Sequence, residues 1–175
     1  LGTIHVWPGV PVVASLIVSF AFAALLWQLM RHHVLVMLRE LGGGKAVSEK
    51  QIRAWARSAL GQDAVIGLRI VGEAEGRELN QDYRGKDYAT NVLTFVYDET
   101  DGVLNGDMVI CLPVVIREAQ EQGKTVADHF AHLVVHGMLH LQGLDHEDDE
   151  EAALMEALEA DILARLGIAN PYEDA

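Results

Sequence analysis

The sequence predicts an α/β (α+β) domain, a small mixed β-sheet packed with helices, and three observations carry that expectation. β-rich runs at 64–71, 92–97 and 108–112 are interleaved with segments whose apolar residues recur at helical spacing. Half of the 175 residues are hydrophobic and the mean hydropathy is +0.15, which excludes a disordered chain and is enough for one domain with its own core. The single cysteine, Cys111, excludes an internal disulfide framework and a cysteine-rich zinc module.

Taken in order, residues 1–30 carry no Lys, Arg, Asp or Glu, and 10–30 form an apolar run long enough to cross a bilayer as a helix. Trp7 and Trp27 lie near its ends, and Arg31, Arg39 and Lys45 follow it, which would leave the rest of the chain in the cytoplasm. Two readings stand: a membrane anchor, or upstream sequence translated from a misplaced start. Residues 31–175 form the folded domain under either. Residues 33–40 read as a short strand that Gly42, Gly43 and Gly44 break. Ser48 and Gln51 have capping-box spacing and open a helix with Ile52, Trp55, Ala56, Ala59 and Leu60 on its apolar face, stopped at Gly61. A strand at 64–71 precedes a helix carrying Leu79 and Tyr83, and strands follow at 92–97 and 108–112. Helices are expected at 114–122, 125–142 and 148–166, the last with Leu154, Ala157, Leu158, Ile162 and Leu166 facing the core. Cys111 falls in a buried strand as a structural thiol.

Charge is unevenly distributed. The formal net charge is −13, but residues 145–175 hold 11 acids against one base, leaving 15 acids and 12 bases elsewhere. The acidic balance argues against a broadly basic nucleic-acid binder, while a near-neutral body leaves room for a local basic groove.

Chemistry concentrates in the segment HGMLHLQGLDH, residues 136–146. His136 and His140 are four apart, so both rings leave one face of a helix about a turn apart. Gly143 can adopt positive φ and turn the chain back, bringing His146 beside them. Three imidazoles make a three-coordinate site for one Zn²⁺ ion with a fourth position open to water; Ni²⁺ or Cu²⁺ would suit the same donors. The spacing is that of a metzincin zinc helix, but the general-base glutamate of H-E-x-x-H is replaced by Gly137, so a peptidase reading lacks its base. His129 and His132, earlier on the same helix, read as satisfied surface; the alternative for His132, which shares a face with His136, is a cleft residue or a support behind the ligands.

At these residues the chain resembles the YbeY family of metal-dependent endoribonucleases. The resemblance runs from about Ser48 to Tyr172. It rests on 136–146, on the blocks at 79–87 and 90–95, on Gly106 to Cys111, and on the acidic run 147–150. It implies zinc held by His136, His140 and His146, and cleavage of single-stranded RNA. It further implies rRNA maturation at the 16S 3′ end, with the small ribosomal subunit as partner, and ribosome quality control. The family's functional arginine would be Arg84, which could hold a phosphodiester bidentately, with Lys86 on a neighbouring phosphate. Thr90 and Asn91 are expected to shape the turn into the strand. Ala89 stands where the family usually has proline, which would loosen the loop presenting Arg84. Met138, Leu144 and Met37 also depart from the pattern, none at a ligand position. The alternatives are a zinc metallopeptidase or other hydrolase, and a non-enzymatic ribosome assembly factor with structural zinc.

Overall fold

The computed structural model describes residues 47–97, 102–144 and 148–173. The hydrophobic segment 1–30, the expected strand at 33–40 and the glycine break lie outside the described residues. Among the described residues, no helix is long and apolar enough to cross a membrane.

Among them, five helices and three strands follow in the order α1 (Glu49–Ser58), β1 (Ala64–Val71), α2 (Glu73–Arg84), β2 (Val92–Val96), β3 (Leu104–Cys111), α3 (Leu112–Glu121), α4 (Val126–Leu141) and α5 (Asp149–Arg165). The sheet has the order β1-β3-β2. β3 runs parallel to β1, from Ala64↔Leu104 to Val71↔Cys111, and antiparallel to β2, from Val92↔Ile110 to Val96↔Gly106. The mixed sheet and α+β class are those expected.

Alternation along β3 divides the interior in two. Leu104, Met108 and Ile110 belong to the main core under α4, whereas Val109 and Cys111 join Val71, Leu93 and Val114 on the other face. Cys111 is buried there as a thiol, as expected. The Ser48–Gln51 capping box is present, and Trp55 packs on Phe130 with ring centroids 6.4 Å apart. Two elements start more than one residue from where the sequence places them. β3 begins at Leu104, because Leu104 and Gly106 also pair across to β1, and the next helix begins at Leu112, with Pro113 at a first-turn position that needs no N–H partner.

Helix α4 is the axis of the domain, packed against α1, α3, α5, β2 and β3. That enclosure is why ten of its residues are buried, from His129 to Leu141. Its approach to the sheet depends on missing side chains. A Cβ on Gly137 would stand 2.6 Å from Met108 Cε and 3.3 Å from Thr94 Cγ2; one on Gly106 would stand 2.7 Å from the Phe95 carbonyl oxygen. The position that a zinc peptidase fills with glutamate is thus packed against the sheet. Gln142 ties the end of α4 to the end of α1, donating to the Ala59 and Met138 carbonyls and accepting from Gly61 N–H at 2.8 Å.

The expected inner face of α5 holds at Ile162 and Leu166 and is corrected at Leu154, Ala157 and Leu158. Met155, Glu159, Ile162 and Leu163 are buried, while Leu154 is 60% exposed and Leu158 and Ala157 are also exposed. The helix is turned so that the Glu159 carboxylate is buried on its inner face with Met155 and Leu163.

Candidate metal centre and cleft

Four histidines, His129, His132, His136 and His140, descend one side of α4. His136 and His140 behave as their spacing requires: their Nε2 atoms lie 3.1 Å apart. Each ring's other nitrogen is committed. His136 Nδ1 meets Glu159 Oε1 at 2.8 Å, and His140 Nδ1 donates to the Leu144 carbonyl at 2.9 Å. Leu144 can offer that carbonyl because Gly143, at φ 87°, turns the chain after α4. An Nδ1–H donor leaves Nε2 as a lone pair, so both rings aim acceptors at one point.

The site extends into α5. Glu159 is fully buried; its Oε2 accepts from His132 Nε2 at 2.7 Å and from the Tyr172 hydroxyl. Burial alone would raise its pKa, but hydrogen bonds from His132, His136 and Tyr172 outweigh burial and hold it at about 2. Burial and the Glu159 carboxylate push the Tyr172 phenol up. Glu159 therefore remains an anion that fixes the tautomer and plane of His136, as carboxylates do behind metal-bound imidazoles.

His132, His136 and Glu159 also form a group that could hold a metal, with one ligand atom from each lying within 4.8 Å of the others. Those atoms already satisfy one another by hydrogen bonds in the interior. The Nε2 pair of His136 and His140 faces the cleft instead. Two nitrogens about 2.0–2.1 Å from a tetrahedral ion would lie about 3.3 Å apart, close to the spacing found here, so the donors fit zinc. His146 lies outside the described residues, as does Asp145.

The cleft encloses about 420 Å³, lined by Arg84, Thr90, Asn91, Thr94, His136 and His140. Arg84 is the last residue of α2. Gly85 follows in the left-handed conformation, with its N–H on the Gln81 carbonyl. Buried Asn80 donates to the Tyr88 carbonyl at 2.7 Å, and Arg77 grips both oxygens of Asp87 at 2.7 Å. The loop carrying Lys86 is thus tied at two points despite Ala89. Arg84 makes no side-chain hydrogen bond or ion pair with another described residue. Lys86 is exposed on the same loop and does not line the cleft.

His129 is a correction to the sequence reading, and His132 follows its alternative as a support behind the ligands. His129 is 3% exposed and its Nε2 meets Glu118 Oε2 at 2.9 Å; His132 is partly buried on Glu159. Burial behind α3 and α5 overrides the polarity that made them read as surface. Asn91 does shape the turn, accepting from Val92 N–H at 2.7 Å, but it also lines the cleft while Glu118 accepts from its amide at 3.0 Å. Glu159, Glu118 and Tyr172 were not singled out by sequence. The available signal was an acid at position 159 in register with Met155, Ile162 and Leu163.

Fold and site together define a small α+β protein with a histidine–carboxylate group able to hold a metal beside an arginine-lined cleft. Within that class the chain belongs to the YbeY family: the model for endoribonuclease YbeY matches residues 43–167. Endoribonuclease YbeY of Azoarcus sp. (strain BH72) is 64% identical over 140 residues, 75% of this chain and 56% of that protein. Endoribonuclease YbeY of Aromatoleum aromaticum is 67% identical over 121 residues, covering 69% of this chain and 78% of the relative. The chain thus spans little more than half the length of the first relative. The solution structure of TM1509 from Thermotoga maritima aligns with a TM-score of 0.43 at 26% identity, covering 78% of this chain and 85% of that one.

Proposed function

We propose that the protein is a zinc-dependent endoribonuclease that cuts single-stranded RNA in ribosomal RNA maturation. In this reading it acts at the 16S 3′ end on the small ribosomal subunit in the cytoplasm and takes part in ribosome quality control. The observation that carries this is the 3.1 Å approach of two imidazole Nε2 atoms, each oriented from behind, at the wall of a cleft that also holds Arg84. His136, His140 and His146 would hold the ion. When bound, zinc would supply a Lewis acid and lower the pKa of a water in its open position.

The protein's own groups do the rest. Glu159 keeps the His136 Nδ1 proton in place, and the Leu144 carbonyl does the same for His140. Arg84 grips the phosphodiester with its planar guanidinium, where negative charge accumulates in the transition state. Lys86 meets the neighbouring phosphate. The peptidase alternative is disfavoured by the packing at Gly137. The test pairs metal content with cleavage of a single-stranded RNA before and after chelation, in wild type and Arg84→Ala. Cleavage should vanish on chelation and return with zinc, and the variant should keep its metal while losing 100-fold or more, on the order of one lost transition-state donor. Equal cleavage by the chelated protein would overturn zinc dependence; equal cleavage by the variant would remove Arg84 from catalysis.

A further inference from the structure

A second cavity, of about 310 Å³, lies on the sheet face away from α4. Its walls include Tyr83, Phe95 and Tyr97, with Arg69 and Asp107 at its rim and Gly67 in its floor. Tyr83 and Tyr97 are 66% and 53% exposed. The Tyr83 ring meets Phe95 edge-on, with centroids 4.7 Å apart. The Tyr97 hydroxyl donates to Asp107 Oδ2 at 2.6 Å. Asp107 reaches across β1 because Gly67 has no side chain: a Cβ there would stand 2.3 Å from Asp107 Oδ1. Arg69 is already paired with Glu75. Exposed rings with a carboxylate edge and a matched cation suit a flat, neutral ligand that carries N–H donors.

The position of the cavity identifies that ligand. Tyr83 and Arg84 are consecutive at the end of α2, and Thr94 and Phe95 are consecutive in β2. In each pair one residue lines the cleft and the other lines this cavity. In β2 this follows from alternation. β2 is the outer strand of the described sheet, so a chain leaving the cleft reaches the second cavity by passing over one strand. Aromatic faces accept any base by stacking, and a carboxylate accepts from base N–H groups.

We propose that this cavity is a nucleobase subsite: an unpaired base of the RNA strand held in the cleft stacks on Tyr83 and Tyr97 and donates an N–H to Asp107. The proposal rests on RNA being the substrate of the cleft. Its test uses the zinc-loaded full chain, a single-stranded RNA of 12 nucleotides and a trinucleotide too short to span both cavities. Binding is followed by fluorescence anisotropy, and cleavage kinetics are measured in parallel. Tyr83→Ala and Tyr97→Ala should each weaken binding of the longer RNA about ten-fold, as loss of one stacking partner does. The loss should appear in KM with kcat retained, leave the trinucleotide unaffected, and be repaired by Tyr83→Phe. A 4-thiouridine in the longer RNA should crosslink to Tyr83 or Tyr97. Unchanged binding in both alanine variants, or equal loss for both RNAs, overturns the subsite. Cleavage without aromatic dependence sinks the subsite and spares the nuclease reading. Aromatic-dependent binding without cleavage does the reverse.

Discussion

Glu159 does the most work of any residue outside the ligand set. It is buried, anionic, and shared between His132, His136 and Tyr172, so His136 presents a lone pair at Nε2 rather than a proton. Glu159→Gln keeps the shape and one acceptor but removes the charge. Metal affinity, read by competition with a chromophoric chelator, should fall about 10- to 100-fold, the usual cost of losing a carboxylate behind a ligand imidazole. Unchanged affinity would mean the ring is held by packing alone. Glu118 offers a separate test, because it touches neither ligand. Burial raises its pKa, but hydrogen bonds from His129 and Asn91 prevail and hold it below the usual glutamate range. A depressed carboxylate stabilises the fold above its unfolded pKa, and that contribution is lost as pH falls through the folded value. In metal-free protein, the urea midpoint of wild type should therefore exceed that of Glu118→Gln at pH 7. The gap should narrow as pH falls below about 4.3, the ordinary glutamate value in an unfolded chain. A gap that is constant with pH would mean Glu118 acts through packing.

Between elements, the governing contact is α4 on the sheet. Gly106 places β3 beneath Leu141, and a methyl there would meet the Phe95 carbonyl oxygen, a backbone atom that cannot rotate aside. Gly106→Ala should cost about 1–3 kcal/mol in urea unfolding, in the range of overpacked cores. A neutral result would show that β2 can shift. These contacts explain which parts of the fold were legible. The Ser48–Gln51 cap and the alternation of β1 are local patterns, and both elements stand where the sequence places them. The His136–His140 pair is equally local, since helix geometry alone brings the rings together. Glu159 joins them from 23 residues downstream, and the direction its helix faces depends on packing that no single stretch encodes. Leu154 and Leu158 continue the apolar pattern just as well as Met155 and Leu163, so periodicity placed Ile162 and Leu166 correctly but chose the wrong side at Leu154 and Leu158. His129 was misread for a related reason: its partner is on α3.

At the scale of the whole molecule, net charge and RNA binding pull in opposite directions. The chain carries −13, and α5 begins with Asp149, Glu150 and Glu151, where carboxylates complement the helix dipole but repel phosphate. Among the described residues, cations placed to meet RNA are few: Arg84 in the cleft and Lys86 on the exposed loop beside it. Binding that neutralises only about two phosphates has a shallow salt dependence, with log K falling by about 0.7 per single-strand phosphate for each decade of salt. Wild-type affinity for single-stranded RNA should therefore decline with a slope near −1.4, and Lys86→Ala should lessen that slope by about 0.7. Affinity beyond this electrostatic part has to come from contacts that salt does not screen, which is the role the Tyr83 and Tyr97 rings would fill. A slope of −4 or steeper would place RNA on a basic surface elsewhere and remove the cleft edge as its path.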